Sequence, residues 1–508
     1  MKLIIDNVRI LASPTWAEPV KGRIVCENGR IAAIGPVAGD AEITADTNFL
    51  DGKGRLAMPG LINAHIHSSS AFMRGAVPGL PLEPYMLLEA PLDDFSHSPR
   101  LYYLRAMLTA IDMLRQGVVA VRDDVHFFGD PTPDNAGAIF EAYRTAGLRA
   151  SVGFGIPNVL EFTKIPYLRE HLTAEQRLEM ERAKWPDQAE ILSFYHAMFN
   201  EWHGSENDRL TVHTSCSTPH RVDPDTLCAL SDLARRKNVS FDTHLLETKT
   251  QAVHSHHRDG KSLVRYLHDH GVLDERLVAI HSIWLNEEDL DLLADSGATV
   301  AHNPVSNLKL GSGVMPMANM LQRGIPIALG TDEVSVDDGN NLWTNAKIGM
   351  LLQSLADVDC SRWPRPEILL EAMTTAGARA MRRETAGRLA VGQDADIILL
   401  DTSGALYAPL NQLSRHLVGA ETGASVRTTI VAGEIVMEDG RLKHIDENAI
   451  LTEIHDLWDR YSTARDAANV AAQVLLPAYM QSANQALAQD LGFSRHLSGA
   501  IRTEKRGS

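Results

Sequence analysis

His65 and His67 end the run Met58-Pro59-Gly60-Leu61-Ile62-Asn63-Ala64-His65-Ile66-His67, and Ser68-Ser69-Ser70 follows. In an extended strand, residues two apart point to the same side of the backbone. At a strand end such a pair can offer two imidazoles to one metal ion, although a His-x-His met alone is more often a surface feature. Four later apolar runs also end in ionisable residues. They are Phe241-Asp242-Thr243-His244 with Glu247 three residues on, Ala279-Ile280-His281, Val300-Ala301-His302-Asn303, and Leu329-Gly330-Thr331-Asp332-Glu333. A zinc-like ion takes imidazole nitrogen and carboxylate oxygen, leaves one position for water, and lowers that water's pKa towards ~7. Such a water still needs a proton acceptor that can afterwards protonate the leaving group. Glu247 is close enough to His244 to face the same ion without having to bind it. His281 can orient the attacking oxygen or stabilise charge on the attacked carbon. Asp332 can ligate the metal and share a proton with the water.

For these groups to meet, the strand ends must converge. Candidate strands lie at residues 60–65, 118–123, 148–153, 210–215, 239–244, 277–281, 298–302 and 325–330, with amphipathic helical segments at 101–116, 224–237, 260–270 and 286–296 among them. Strands alternating with helices in this way predict an α/β fold, a (β/α)8 TIM barrel, in which the C-terminal strand ends share one face. An open doubly wound sheet competes, but no Gly-x-Gly-x-x-Gly follows the first strand. Residues 1–57 and 385–445 read as short strands and turns, with Asn28-Gly29 marking a hairpin. Each end is too small to close a core, so the two together predict one small β-sandwich domain. That leaves 58–384 for the barrel and 446–508 for a mostly helical C-terminal extension. Residues 156–208 form a long insertion with a charged helix near 173–184. Both additions read as subunit contacts, lids or surface decoration.

The formal net charge of −17 over 508 residues argues against nucleic acid and anionic membrane as partners. The four cysteines, Cys26, Cys216, Cys228 and Cys360, are scattered without a C-x-x-C pair, which fits a reducing compartment. Asp6, Asn7 and Arg9 interrupt the first apolar residues, so no signal peptide is expected there. A cytoplasmic protein with a small-molecule substrate, and a homodimer, is the expectation.

The motifs resemble those of the amidohydrolase superfamily, in its branch of hydrolytic deaminases and chlorohydrolases. The resemblance is carried by Pro59 through His67, His244-Leu245-Leu246-Glu247-Thr248, Ala301-His302-Asn303-Pro304-Val305-Ser306-Asn307-Leu308-Lys309-Leu310, Leu329-Gly330-Thr331-Asp332, and Gly387-x-Leu389-x-x-Gly392-x-x-Ala395-Asp396. It spans residues 1 to about 440. It implies that His65, His67, His244 and Asp332 bind one divalent metal, that Glu247 shuttles protons and that His281 assists. Relatives with two metals carry a carboxylated lysine at the end of the fourth strand, and Leu210-Thr211-Val212-His213-Thr214-Ser215 has none. The ligand types suit Zn2+ first and also Fe2+ or Mn2+.

The implied function is hydrolysis of non-peptide C–N bonds, deaminating an amino-substituted nitrogen heterocycle through a metal-activated water. The alternatives are an acyclic guanidine or amidine C–N hydrolase and a dechlorinating triazine hydrolase. A catalytically dead barrel acting in assembly is the rival from another class, and the intact ligand set argues against it. Departures from the family pattern bear on substrate. Ser217 stands where adenosine-type deaminases carry a ring-contacting histidine, Tyr85 stands for a usual tryptophan, and Glu333 follows Asp332 in place of glycine. These three positions are expected to contact substrate, and to disfavour adenosine-type compounds. His213 and His220 are placed at the pocket mouth, either as substrate contacts or as plain packing, His302 as support for the metal face, and His254, His256 and His257 on a solvated helix or loop.

Overall fold

The computed structural model describes residues 2–12, 18–36, 47–88, 93–127 and 131–496. Parallel pairing runs from Leu61–His67 to Val118–Val125, then Arg149–Phe154, then Leu210–Val212. A second parallel sheet runs from Thr214–Ser215 through Phe241–Leu245, Leu277–His281 and Thr299–His302 to Ile327–Leu329. His213 alone separates the two sheets at one junction. At the other, Gly330-Thr331 leads into Asp332–Glu333, which returns to pair with the first strand, Asp332 opposite Ile66 and Glu333 opposite His67. Each of the eight expected strands is present within a few residues of its expected place.

The strands are buried along their length, as parallel sheets covered on both faces are, although Val118–Val125 carries Arg122, Asp123 and Asp124 and Arg149–Phe154 begins with a buried arginine. Helices pack outside them and are bounded by local chemistry. Pro224–Lys237 starts with Asp223 accepting from the Thr226 amide and ends at Asn238 in the left-handed region, so a cap and a stop bracket a Pro-initiated helix.

Both chain ends enter one nine-stranded sheet. Leu56–Pro59 pairs with Lys2–Ile10 on one side and antiparallel with Ile397–Leu400 on the other. Leu3, Ile5, Ile24, Ile31, Leu399 and Ile430 belong to its separate core. This sheet feeds the site directly, because only Gly60 separates Pro59 from Leu61. A side chain at Gly60 would lie 2.3 Å from Val119, so this crossing needs glycine.

The insertion contains helices Ala174–Arg182 and Gln188–Glu201, and the extension contains Glu447–Ala472 and Leu476–Leu487. The two pack on each other: Phe162, Ile165, Leu168 and Leu172 form a cluster with Ala478 and Tyr479. Helix Leu476–Leu487 also touches Leu82–Tyr85 and Lys249–Asp259. Among the described residues, no helix is long and apolar enough to cross a membrane.

Candidate metal centre

His65, His244, His281 and Asp332 offer nitrogen and oxygen atoms that all lie within 4.8 Å of one another. His67 joins them, its Nε2 lying 3.2 Å from His244 Nε2 and 3.4 Å from Asp332 Oδ1. His65 Nε2 is also 3.4 Å from Asp332 Oδ1. The structure therefore brings the four expected ligands together, with His281 in the same cluster.

The rings are aimed by their outer nitrogens. His244 Nδ1 donates to the Ser217 carbonyl at 2.8 Å, and His67 Nδ1 donates to the Asp124 carbonyl. Both contacts leave Nε2 facing inward with its lone pair available. His281 Nδ1 donates to Asn307 Oδ1 at 2.9 Å, which puts Nε2 at 3.6 Å from both Glu247 Oε2 and Asp332 Oδ2. Ser306 Oγ donates to Asp332 Oδ2 at 2.6 Å. The buried His65 ring nitrogens make no hydrogen bond among the described residues, which fits a donor set waiting for a cation.

Backbone strain collects here. Ser217, Leu246, His281, Ser282 and Asp332 all have positive φ, at 61°, 48°, 67°, 52° and 66°. Non-glycine residues in that region persist when their surroundings over-determine them, as at functional sites. Gly330 lies so close to its neighbours that a Cβ would sit 2.3 Å from Asn303 Oδ1 and 2.8 Å from His65.

The electrostatics suit a cation. Burial pulls the His65 imidazole down to about 4, and burial with neighbouring imidazoles holds His244 well below its ordinary value. Neutral imidazole is the form that binds metal. Burial also lowers His67, but Asp332, with Glu333 and Asp124, outweighs it and lifts the ring to about 10. That shift reports a strongly negative local potential. Burial would raise Asp332, yet His65 and His67 hold its carboxyl well below the usual range. Glu247 is pushed well above its usual value by burial and by the Asp332 and Glu83 carboxylates. Gln251 Nε2 donates to Glu247 Oε2 at 3.5 Å.

A pocket of about 430 Å³ opens over the cluster, lined among others by His67, His244, Glu247, His281 and Asp332, and by Tyr85, Ser217 and Glu333. Two further lining residues, His126 and Arg221, have no place in the sequence reading. His126 stacks on His67 at 4.1 Å between ring centroids and forms a second overlapping group with His67 and His244. Its signal was present: the second strand ends Arg122-Asp123-Asp124-Val125-His126, as ionisable as the other strand ends.

His213 and His220 take the packing alternative rather than a place at the pocket mouth, and the solvated reading of His254 needs correction. His213 is fully buried at the junction of the two sheets, 3.2 Å from Asp242 and bonded to Ser151, and does not line the pocket. His220 is also outside the lining and packs against His254, ring centroids 5.2 Å apart. His254 is buried, as are all of residues 250–255 in helix Lys249–Asp259, while His256 and His257 are exposed as expected. His302 is buried but belongs to neither metal-binding group.

The sequence model of the amidohydrolase family matches residues 56–436. The 5-methylthioadenosine/S-adenosylhomocysteine deaminase of Nitratidesulfovibrio vulgaris is 31% identical over 442 residues, 86% of this chain and 92% of that one. The 5'-deoxyadenosine deaminase of Methanosarcina mazei is 30% identical over 452 residues, 89% of this chain and 96% of its own. Among solved structures, an adenosine deaminase from Xanthomonas campestris with bound zinc superposes with a TM-score of 0.78 at 23% identity, covering 91% of this chain and 98% of that one.

Proposed function

The chain belongs to the amidohydrolase family, and from that premise we propose that it deaminates an amino-substituted nitrogen heterocycle through a metal-activated water. The carrying observation is that His67, His244 and Asp332 meet Glu247 and His281 on the floor of one pocket, with His65 buried against Asp332 beside them. The two parallel sheets, continuous through their interrupted strands, are read as one closed (β/α)8 barrel over residues 58–384. The nine-stranded sheet, folded over its own core, is read as the small β-sandwich of 1–57 and 385–445, with 446–508 as the extension.

His65, His67, His244 and Asp332 would hold one divalent ion, with zinc as first choice for this nitrogen and oxygen set. When bound, the ion supplies the Lewis acidity that makes water a nucleophile near neutral pH. Glu247 takes the proton released from that water and returns it to the departing nitrogen. Its raised affinity for protons suits both halves of the transfer. His281, oriented by Asn307, places Nε2 where charge develops at the attacked carbon. A ring carbon flanked by nitrogen is electrophilic enough for this attack, and its amino group leaves once protonated.

Unpaired cysteines among the described residues support the cytoplasm as location. Exposed Leu355, Val358, Val470 and Val474 provide apolar surface for a homodimer.

Ammonia release from the zinc-loaded enzyme is the test, across aminopurines, aminopyrimidines, pterins, melamine-like triazines and guanidines. Turnover confined to heterocycles is the expected result. Turnover confined to guanidines moves the assignment to acyclic C–N hydrolysis, and no ammonia from any class rejects it.

A further inference from the structure

An open cleft of about 2940 Å³ lies on the face opposite the metal centre, where the parallel strands begin. Arg149 starts its strand there, Ile327 starts another, and Lys237 ends the helix that leads into Phe241–Leu245. Eight lysine or arginine side chains line this cleft against four carboxylates, in a chain whose formal net charge is −17. The excess is local. Half of the cations are engaged: Arg30 and Arg383 pair with Asp394, Arg149 with Asp396, and Arg209 with Glu206. The other four are Lys237, Arg379, Arg382 and Arg388. Among the described residues none of these has a carboxylate within ion-pair distance, although Arg388 acts at longer range on Glu371. Two of the lining carboxylates are taken, Asp208 by Arg383 at 2.8 Å and Glu275 by Arg276 at 3.0 Å. Arg379 Nη2 donates to the Gly297 carbonyl and Arg382 Nη2 to Asn238 Oδ1, at 3.0 Å each. The buried Arg382 Nε has no hydrogen-bond partner among the described residues. A guanidinium has five donors, so most of these remain unspent. The negative helix ends beside Lys237 and Arg379 account for part of the charge, but not for Arg388, which lies outside any helix.

We propose that this cleft binds a linear triphosphate, either inorganic tripolyphosphate or the phosphate chain of a nucleoside triphosphate. Cations on separate elements suit charges in series better than a single carboxylate or orthophosphate, and guanidinium forks match phosphate oxygens. Apolar Ile325, Pro326, Ile327 and Ile368 line the same cleft and offer a surface for a base. Nucleic acid fits less well, because the net charge of the chain repels a long polyanion.

Calorimetry on the zinc-loaded full chain tests this with orthophosphate, tripolyphosphate, ATP and a single-stranded RNA oligonucleotide. Zinc content is checked afterwards, because phosphate chains chelate metal. Tripolyphosphate should bind at one site per chain and about tenfold or more tighter than orthophosphate, the worth of added charge-assisted hydrogen bonds. In Arg382→Gln/Arg388→Gln its affinity should fall by about ten- to a hundredfold, with zinc content and the melting temperature of the free protein unchanged. Should that variant melt early, Lys237→Gln, whose side chain is exposed, makes the same comparison with a loss of about tenfold. ATP binding tighter than tripolyphosphate names a nucleotide as the ligand, and equal or weaker binding names the inorganic chain. Tripolyphosphate bound no better than orthophosphate overturns the proposal, as does wild-type affinity surviving in the variants. Binding that disappears in His65→Ala/His67→Ala instead belongs to the metal pocket and overturns it too. An RNA oligonucleotide bound tighter than either triphosphate makes the cleft a nucleic-acid surface and rejects the triphosphate.

Discussion

On the floor of the pocket, His67, His244, His281 and Asp332 stand on strands or at their ends, their backbones in or next to parallel pairings, and the carbonyl of His65, buried beside them, accepts from the Thr331 amide. Around the rim, Tyr85 and Met86 come from short helices, Arg221 from a loop, and Leu310 and Val336 from helix ends. The rim is braced from elsewhere: Tyr85, Leu310 and Val336 cluster with Met73 and Val77, and Ala472 of the extension packs on them. Floor residues are thus held by the repeating sheet, and rim residues by parts outside the repeat. Chemistry shared by a whole family belongs on the first kind of support, and substrate choice on the second.

If the floor is a unit for metal chemistry, removing two ligands should remove everything. His65→Ala/His67→Ala is expected to bind no metal by elemental analysis and to turn over substrate at background. Wild type should hold one tightly bound ion per chain. Two tightly held ions would instead bring the overlapping His67, His126 and His244 group into use and redraw the floor.

Next in size is Glu247→Gln, which keeps shape but removes the proton acceptor. Metal content should stay at the wild-type level while kcat falls by about 10²–10⁴-fold. A variant near wild-type rate at every pH would show that Glu247 is not the shuttle, and a variant without metal would make it a ligand.

The floor also has foundations. Arg122 is fully buried, donating to Ser240 Oγ and the Ala380 carbonyl at 2.7 Å each and to Asp242. Asp242 in turn meets His213 at 3.2 Å. Arg122→Met leaves a buried carboxylate without its main partner, which should cost about 3–5 kcal/mol of stability in urea unfolding. A loss below about 1 kcal/mol would mean that the network is not what holds the strand ends together.

Sequence reading reached the floor because its signal is local. A strand period of two puts His65 and His67 on one side, and Asp332 and Glu247 follow apolar runs of strand length. It also reached helix Pro224–Lys237, whose cap Asp223 and first residue Pro224 are adjacent letters and whose stop, Asn238, directly follows its last residue. Arg221 was not legible, since only the turn after the fourth strand decides whether a lone arginine faces solvent or substrate. His213 was misplaced for a related reason: as the residue between the two sheets, its side chain goes into the interior beside Asp242. The packing of the insertion on the extension joins residues some 300 apart, and no pattern within either segment announces it.

The smallest expected effect tests whether the rim sets substrate choice without touching the floor. Ser217 does two things: its carbonyl aims His244, and its buried hydroxyl lines the pocket with no hydrogen-bond partner among the described residues. The first task belongs to the backbone and survives substitution; the second is open to change. A ring nitrogen left unpaired in a closed site costs about 1–3 kcal/mol. The wild-type protein should therefore use methylthioadenosine and adenosine poorly beside pterin or melamine-like compounds, although relatives at about 30% identity are named for adenosine-type substrates. Tyr85 and Glu333 at the same pocket favour donor-rich rings over a purine acceptor face. Ser217→His is compatible with the backbone, since histidine is among the residues enriched at positive φ. It should raise kcat/KM for methylthioadenosine by about five- to a hundredfold relative to pterin, with metal content unchanged. If methylthioadenosine is already the best wild-type substrate by a wide margin, Ser217 does not set the preference, and the rim reads purines through another residue such as His126.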